Sequence, residues 1–170
     1  MPRKKVRREV YPGMVTSLNL LSGLGSIVLS LNGEFLGAGL LLVVCVILDA
    51  CDGRLARAMH ATSDFGSELD TLTDIACFGI APFIFALSQF EMNIGLILAG
   101  MLFVQCGVFR LVRYSVSDSK LPGFRGMPIT CNGVIFFVLY LLGAQTAVVI
   151  AAFVILGLLM VSTIRVPRIF

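Results

Sequence analysis

Residues 40–74 read "LLLVVCVILDACDGRLARAMHATSDFGSELDTLTD". The first nine residues, Leu40–Leu48, are wholly apolar, and the rest is dotted with carboxylates. Ionisable groups at the mouth of a lipid-type segment are costly, and they mark function unless they are paired or solvated. How this junction is read decides both the fold and the chemistry.

Composition places the chain in lipid. Of its 170 residues 58% are hydrophobic and 14% charged, and the mean hydropathy is +0.97. That is far above the range of soluble domains, so an integral membrane protein is expected, with one domain over residues 1–170. The basic head "MPRKKVRREV" is followed by "YPGMVTSLNL", too polar for the apolar core of a cleavable signal. Trp is absent, which leaves the interfacial aromatic role to Tyr and Phe. The five cysteines form no CxxC pair and read as small buried hydrophobes. A single histidine, His60, reads as a loop residue and excludes a histidine-based metal site.

A bilayer core takes about 20 helical residues. Six spans are predicted, an all-α membrane protein: about Met14–Leu31, Phe35–Arg57, Gly66–Ser88, Met92–Val112, Pro128–Leu142 and Gln145–Thr163. Residues 1–13 form a basic cytoplasmic segment that reads either as an interfacial helix or as a plain topology signal. With six spans all thirteen Lys and Arg residues fall on one side, and the opposite turns "NGE", "SQFEMN" and "GAQT" carry none. The positive-inside rule then puts both termini and the Asp-rich segment on the cytoplasmic face of the plasma membrane.

Spacing organises the carboxylates. Asp49 and Asp52 share a helix face with Gly53 and Ala56, and Arg57 follows one turn on. After the turn "AMHATSDF", Gly66, Asp70 and Asp74 recur every four residues as a second stripe. Helices joined by a short turn are antiparallel neighbours, so the two acidic pairs can face each other. Four crowded carboxylates repel unless cations intervene. An oxygen-only donor set favours Mg²⁺ or Mn²⁺ over Zn²⁺. Two such ions with Arg57 leave a small positive surplus, suited to an anionic diphosphate, and can clamp a phosphoryl centre. Asp64 and Glu68 lie off the stripe and read as capping or solvated groups. A cation pathway is the competing use of such acids, but it has no need of the Gly-Ala-Arg spacing.

The segment fits D-x2-D-G-x2-A-R-x8-G-x3-D-x3-D without a gap. This resembles the signature of the CDP-alcohol phosphatidyltransferase family, and helix number and chain length are similar as well. The resemblance implies transfer of a phosphatidyl group from a CDP-activated lipid to an alcohol, with release of CMP. It implies that Asp49, Asp52, Asp70 and Asp74 bind two divalent ions, with Asp49 and Asp70 bridging, and that Asp74 is the general base. It further implies that Gly53, Arg57 and Ser63 contact the CDP part, and that Thr16 and Asn19, in "PGMVTSLN", line the nucleotide site. A homodimer is implied by the same likeness, and no nucleic-acid partner is expected.

Two later stretches bear on the alcohol. Phe124, Gly126, Met127, Pro128 and Ile129 resemble an element of the membrane-embedded phosphatidylserine synthases. That likeness implies CDP-diacylglycerol and L-serine as substrates. Val112-Arg113-Tyr114-Ser115 keeps the Arg and aromatic of that group's Ala-Arg-Phe-Asn element but loses its Asn. Arg110, Arg113, Arg125 and Asn132 are the candidate serine ligands, with Arg113 expected to hold the carboxylate by a bidentate contact. The same basic residues would also suit glycerol 3-phosphate or an inositol phosphate.

Overall fold

The computed structural model describes residues 3–59, 64–90, 93–116, 124–125, 127–162 and 165–166. His60 and Ser63 lie outside the described residues, as do the side chains of Arg57 and Arg125.

The chain is a bundle of helices: α1 (Arg3–Leu31), α2 (Phe35–Met59), α3 (Asp64–Asp74), a π-helical segment (Ile75–Ile80), α4 (Ala81–Gln89), α5 (Ile94–Val116), α6 (Cys131–Leu141) and α7 (Thr146–Val161). Among the described residues four stretches are long and apolar enough to cross a membrane: Gly13–Leu31, Phe35–Arg54, Phe65–Gln89 and Ile94–Arg113. Large apolar side chains stay exposed along whole helices, among them Leu18, Leu21 and Val28 on α1 and Leu98, Met101 and Phe109 on α5. A soluble monomer does not expose stripes of this length, and lipid is the environment that accepts them. The protein is integral to a membrane.

The helices depart from the expected boundaries in instructive ways. The basic head is helical but not a separate element: it runs into the first span as one helix of 29 residues, through Pro12. The third span is not a uniform α-helix. α3, the π-helical segment and α4 follow one another without a break, and Pro82 stands at the start of α4. A proline cannot donate to the carbonyl four residues back, and its ring crowds that carbonyl. The wider π turn just before it accommodates both effects, and it begins directly after Asp74.

α6 is only 11 residues long, roughly 16 Å of helix, and starts three residues later than expected. Among the described irregular residues ahead of it, Ile129 is buried at 2% exposure and Met127, Pro128 and Thr130 are half-buried. Non-helical backbone at membrane depth survives only with that kind of cover. A short antiparallel ladder, absent from the sequence reading, pairs β1 (Phe124–Arg125) with β2 (Arg165–Val166).

Packing joins α1 to α2 and α4, and α5 to α7, with α6 against α2. Gly33 (φ 81°) and Gly143 (φ 62°) make the tight turns after α1 and α6 in the left-handed region. The Gly143 and Ala144 N–H groups return to the Tyr140 and Leu139 carbonyls, closing the end of α6. Phe103, Phe136 and Phe153 pack ring on ring in the core, with centroids 4.3 to 5.6 Å apart.

At Gly23 the contact is closest to the chemistry. A Cβ there would stand 2.5 Å from the Cys77 sulfur and 3.3 Å from its Cα. Gly23→Ala is therefore expected to push α1 from the π-helical segment and cost about 1–3 kcal/mol. Thermal unfolding in detergent should show the loss, and Cys77→Ala in the same chain should restore part of it. A midpoint unchanged by Gly23→Ala would contradict the contact.

Candidate active site

α2 brings Asp49 and Asp52 down from the apolar run, and α3 carries Asp70 and Asp74 up to the π-helical segment. Carboxylate oxygens of Asp49, Asp70 and Asp74 lie within 4.8 Å of one another. Asp52, the fourth, is buried and accepts the Thr16 hydroxyl from α1, 36 residues away in sequence. It stays within Coulombic range of Asp49 and Asp70. The two stripes therefore meet, with three carboxylates converging and Asp52 standing beside them.

The donor set fits hard divalent cations. Oδ1 of Asp52 and Oδ1 of Asp74 are buried without a hydrogen-bond partner among the described residues. A shielded carboxylate oxygen in that state is costly unless a cation meets it. The nearby thiols do not compete for the role. Cys45 and Cys77, both fully buried, point at the backbone carbonyl of Asn19, at 3.7 and 3.3 Å. The sites of their burial agree with the sequence reading, whereas Cys51 and Cys131 are exposed.

The remaining candidates separate into distinct positions. Gly53 is exposed, and a Cβ added there would meet nothing within 4 Å, so the α2 backbone is open to close approach. Thr16 and Asn19 lie on the inner face of α1, both buried, and the Asn19 amide oxygen has no partner among the described residues. Asn132, at the start of α6, is fully buried.

The two arginines of α5 do different things. Arg110 is buried at 8% exposure, with its charge within range of Asp74. Arg113 donates from Nη1 to the Val161 carbonyl (3.0 Å) and from Nη2 to the Ser162 carbonyl (3.3 Å). Two of the N–H groups expected to grip a serine carboxylate thus serve the end of α7.

The sequence reading missed the Thr16–Asp52 link, the Arg110–Asp74 approach and the two thiols on one carbonyl. Each joins residues far apart in the chain, and no local periodicity announces them. Thr73 was missed too. It is buried next to Asp74 in the chain, with an unpartnered hydroxyl among the described residues.

A helical membrane bundle with carboxylates converging from two neighbouring helices beside an open glycine defines a lipid-embedded enzyme of phosphate chemistry. The chain matches the family model of the CDP-alcohol phosphatidyltransferases over residues 9–164 and belongs to that family. Among curated relatives, a CDP-diacylglycerol–serine O-phosphatidyltransferase of Methanocaldococcus jannaschii is 35% identical over 91% of this chain and 72% of its own length. A protein of the same name from Helicobacter pylori is 35% identical over 94% of this chain and 72% of its own length. An archaetidylserine synthase of Methanothermobacter thermautotrophicus is 35% identical over 99% of this chain and 75% of its own length.

Proposed function

We propose that this enzyme transfers the phosphatidyl group of CDP-diacylglycerol to L-serine, giving phosphatidylserine and CMP. The observation that carries the reading is the convergence of Asp49, Asp70 and Asp74 beside the open backbone at Gly53. The printed activities of its relatives supply the substrates.

In this reading Asp49, Asp52, Asp70 and Asp74 would hold two divalent cations, Mg²⁺ or Mn²⁺. When bound, the cations polarise the phosphoryl oxygens and neutralise the leaving phosphate. Gly53 lets the diphosphate approach the α2 backbone, and Arg57 and Ser63 meet the CDP part. Thr16 orients Asp52 through its hydroxyl, and Asn19 lines the nucleotide side. Asp74 takes the proton from the serine hydroxyl as the serine Oγ–phosphorus bond forms and the phosphorus–oxygen bond to CMP breaks. Arg110 stands by Asp74 and, with Arg125 and Asn132, forms the serine side. Positioning and electrostatics supply the rate in this reading.

The site lies on the cytoplasmic face in this reading, because the basic residues cluster at that end of the helices. A homodimer is part of it, supported by the family likeness.

CMP release in proteoliposomes containing CDP-diacylglycerol and Mg²⁺ or Mn²⁺ tests the reading. Serine should support turnover, while glycerol 3-phosphate and inositol phosphate should not. Turnover with a phosphorylated alcohol and none with serine would replace the acceptor.

A further inference from the structure

The cytoplasmic end of α7 makes polar contacts with both neighbours at four consecutive residues. The Leu159 carbonyl accepts the Met127 N–H at 3.3 Å, and the Met160 sulfur accepts the Asn132 amide at 3.5 Å. The Val161 and Ser162 carbonyls accept the two Nη groups of Arg113. Just beyond, Arg165 and Val166 pair antiparallel with Arg125 and Phe124.

Phe124–Arg125 and residues 127–132 therefore lie between elements that fix them. On one side Gly107 of α5 leaves space for Ile129 and Met160: a Cβ at Gly107 would stand 2.9 Å from Ile129. On the other side are the end of α7 and β2. A helix leaves its last four carbonyls unpaired and carries partial negative charge there, which a guanidinium satisfies on both counts. Arg113 meets two of those carbonyls, and it does so from α5, the helix that also carries Arg110 to Asp74.

We propose that Arg113 is a positioning residue for the acceptor alcohol. Its guanidinium sets the end of α7 against α5, and the α7 end in turn holds Asn132 through the Met160 sulfur and leads into the strand that pairs with Phe124–Arg125. The inference rests on the serine-transfer reading for the identity of the alcohol. It gives the acceptor pocket a wall held by tertiary contacts, whereas the CDP side is held by α1, α2 and α3.

The test is steady-state CMP release by the full chain in nanodiscs, with serine varied at saturating CDP-diacylglycerol and the converse. Arg113→Ala is expected to raise the serine KM about tenfold, with kcat and the CDP-diacylglycerol KM near wild type. Arg113→Lys, which still donates to a helix C-terminus, should recover part of the loss. Val166→Pro puts a residue with no backbone donor into the β1–β2 ladder and leaves every arginine in the chain, and it should reproduce the serine effect. The double variant should be no worse than the poorer single one, because both act through one element. A direct Arg113–carboxylate contact instead predicts a serine effect for Arg113→Ala and none for Val166→Pro, which would overturn the proposal. So would an unchanged serine KM in Arg113→Ala, or an equal loss for both substrates. If Arg113→Ala does not fold, the serine KM of Val166→Pro decides. If wild type turns over a different alcohol, the serine reading fails, and the same KM split measured with that alcohol still tests Arg113.

Discussion

Asp49→Asn or Asp70→Asn is expected to lower CMP release to below about a thousandth of wild type. Each substitution keeps the side chain's shape and removes one charge from the point where oxygens of Asp49, Asp70 and Asp74 lie within 4.8 Å. An amide at that position offers one neutral oxygen and two donors, so it cannot bridge cations. Both variants should still insert and fold, because relieving repulsion among crowded carboxylates does not destabilise the bundle. The matching expectation for the wild type is complete loss of turnover with EDTA and recovery on adding Mg²⁺ or Mn²⁺. Cation binding can be followed apart from turnover, by the shift in thermal midpoint on adding Mn²⁺, which the Asn variants should lack. Near-normal turnover in either variant, together with resistance to EDTA, would end the two-cation model.

Asp74→Asn should be nearly as damaging to turnover but different in kind. Asp74 brings a carboxylate oxygen within 4.8 Å of those of Asp49 and Asp70, lies within range of the charge of Arg110 and sits where α3 gives way to the π-helical segment. As general base it matters to proton transfer, a contribution of roughly a hundred- to ten-thousandfold. The nucleotide contacts of the proposed site lie elsewhere, at Gly53, Arg57, Thr16 and Asn19. Turnover should therefore fall by at least about a hundredfold while the affinity for CDP-diacylglycerol changes much less. Equilibrium binding of the CDP-lipid in the presence of Mg²⁺, set beside turnover, separates the two. If binding is lost as fully as turnover, Asp74 acts mainly as a cation ligand and the base lies elsewhere.

These two expectations share a residue set that was legible before any fold was known. Asp49 and Asp52, three apart, and Asp70 and Asp74, four apart, are placed on helix faces by the helical repeat alone. Helix geometry is local, so a stripe in the sequence remains a stripe in the molecule. The short turn between them, and the one-sided placement of Lys and Arg, followed from chain length and bilayer thickness. Those too are properties that need no knowledge of distant contacts.

What the tertiary structure alone decided is which side chain meets which. Arg110 and Arg113 are one turn apart and looked equivalent in sequence, yet one is buried with its charge in range of Asp74 and the other clamps the end of α7. Helix phase places both near the same face, but their partners come from α3 and α7, whose approach is set by packing across the whole bundle. The Thr16–Asp52 hydrogen bond and the shared carbonyl of Asn19 depend in the same way on how closely α1 can approach at Gly23. The π turn after Asp74 needs Pro82 in the context of a continuing helix, and the β1–β2 ladder joins residues on opposite sides of two spans. The sequence by itself determined the membrane class, the carboxylate stripes and the family, because local periodicity and composition carry them. How the ends of α5, α6 and α7 meet was left to the tertiary structure, because contacts such as Arg113 to the Val161 carbonyl and Asn132 to the Met160 sulfur are encoded by no spacing within one helix.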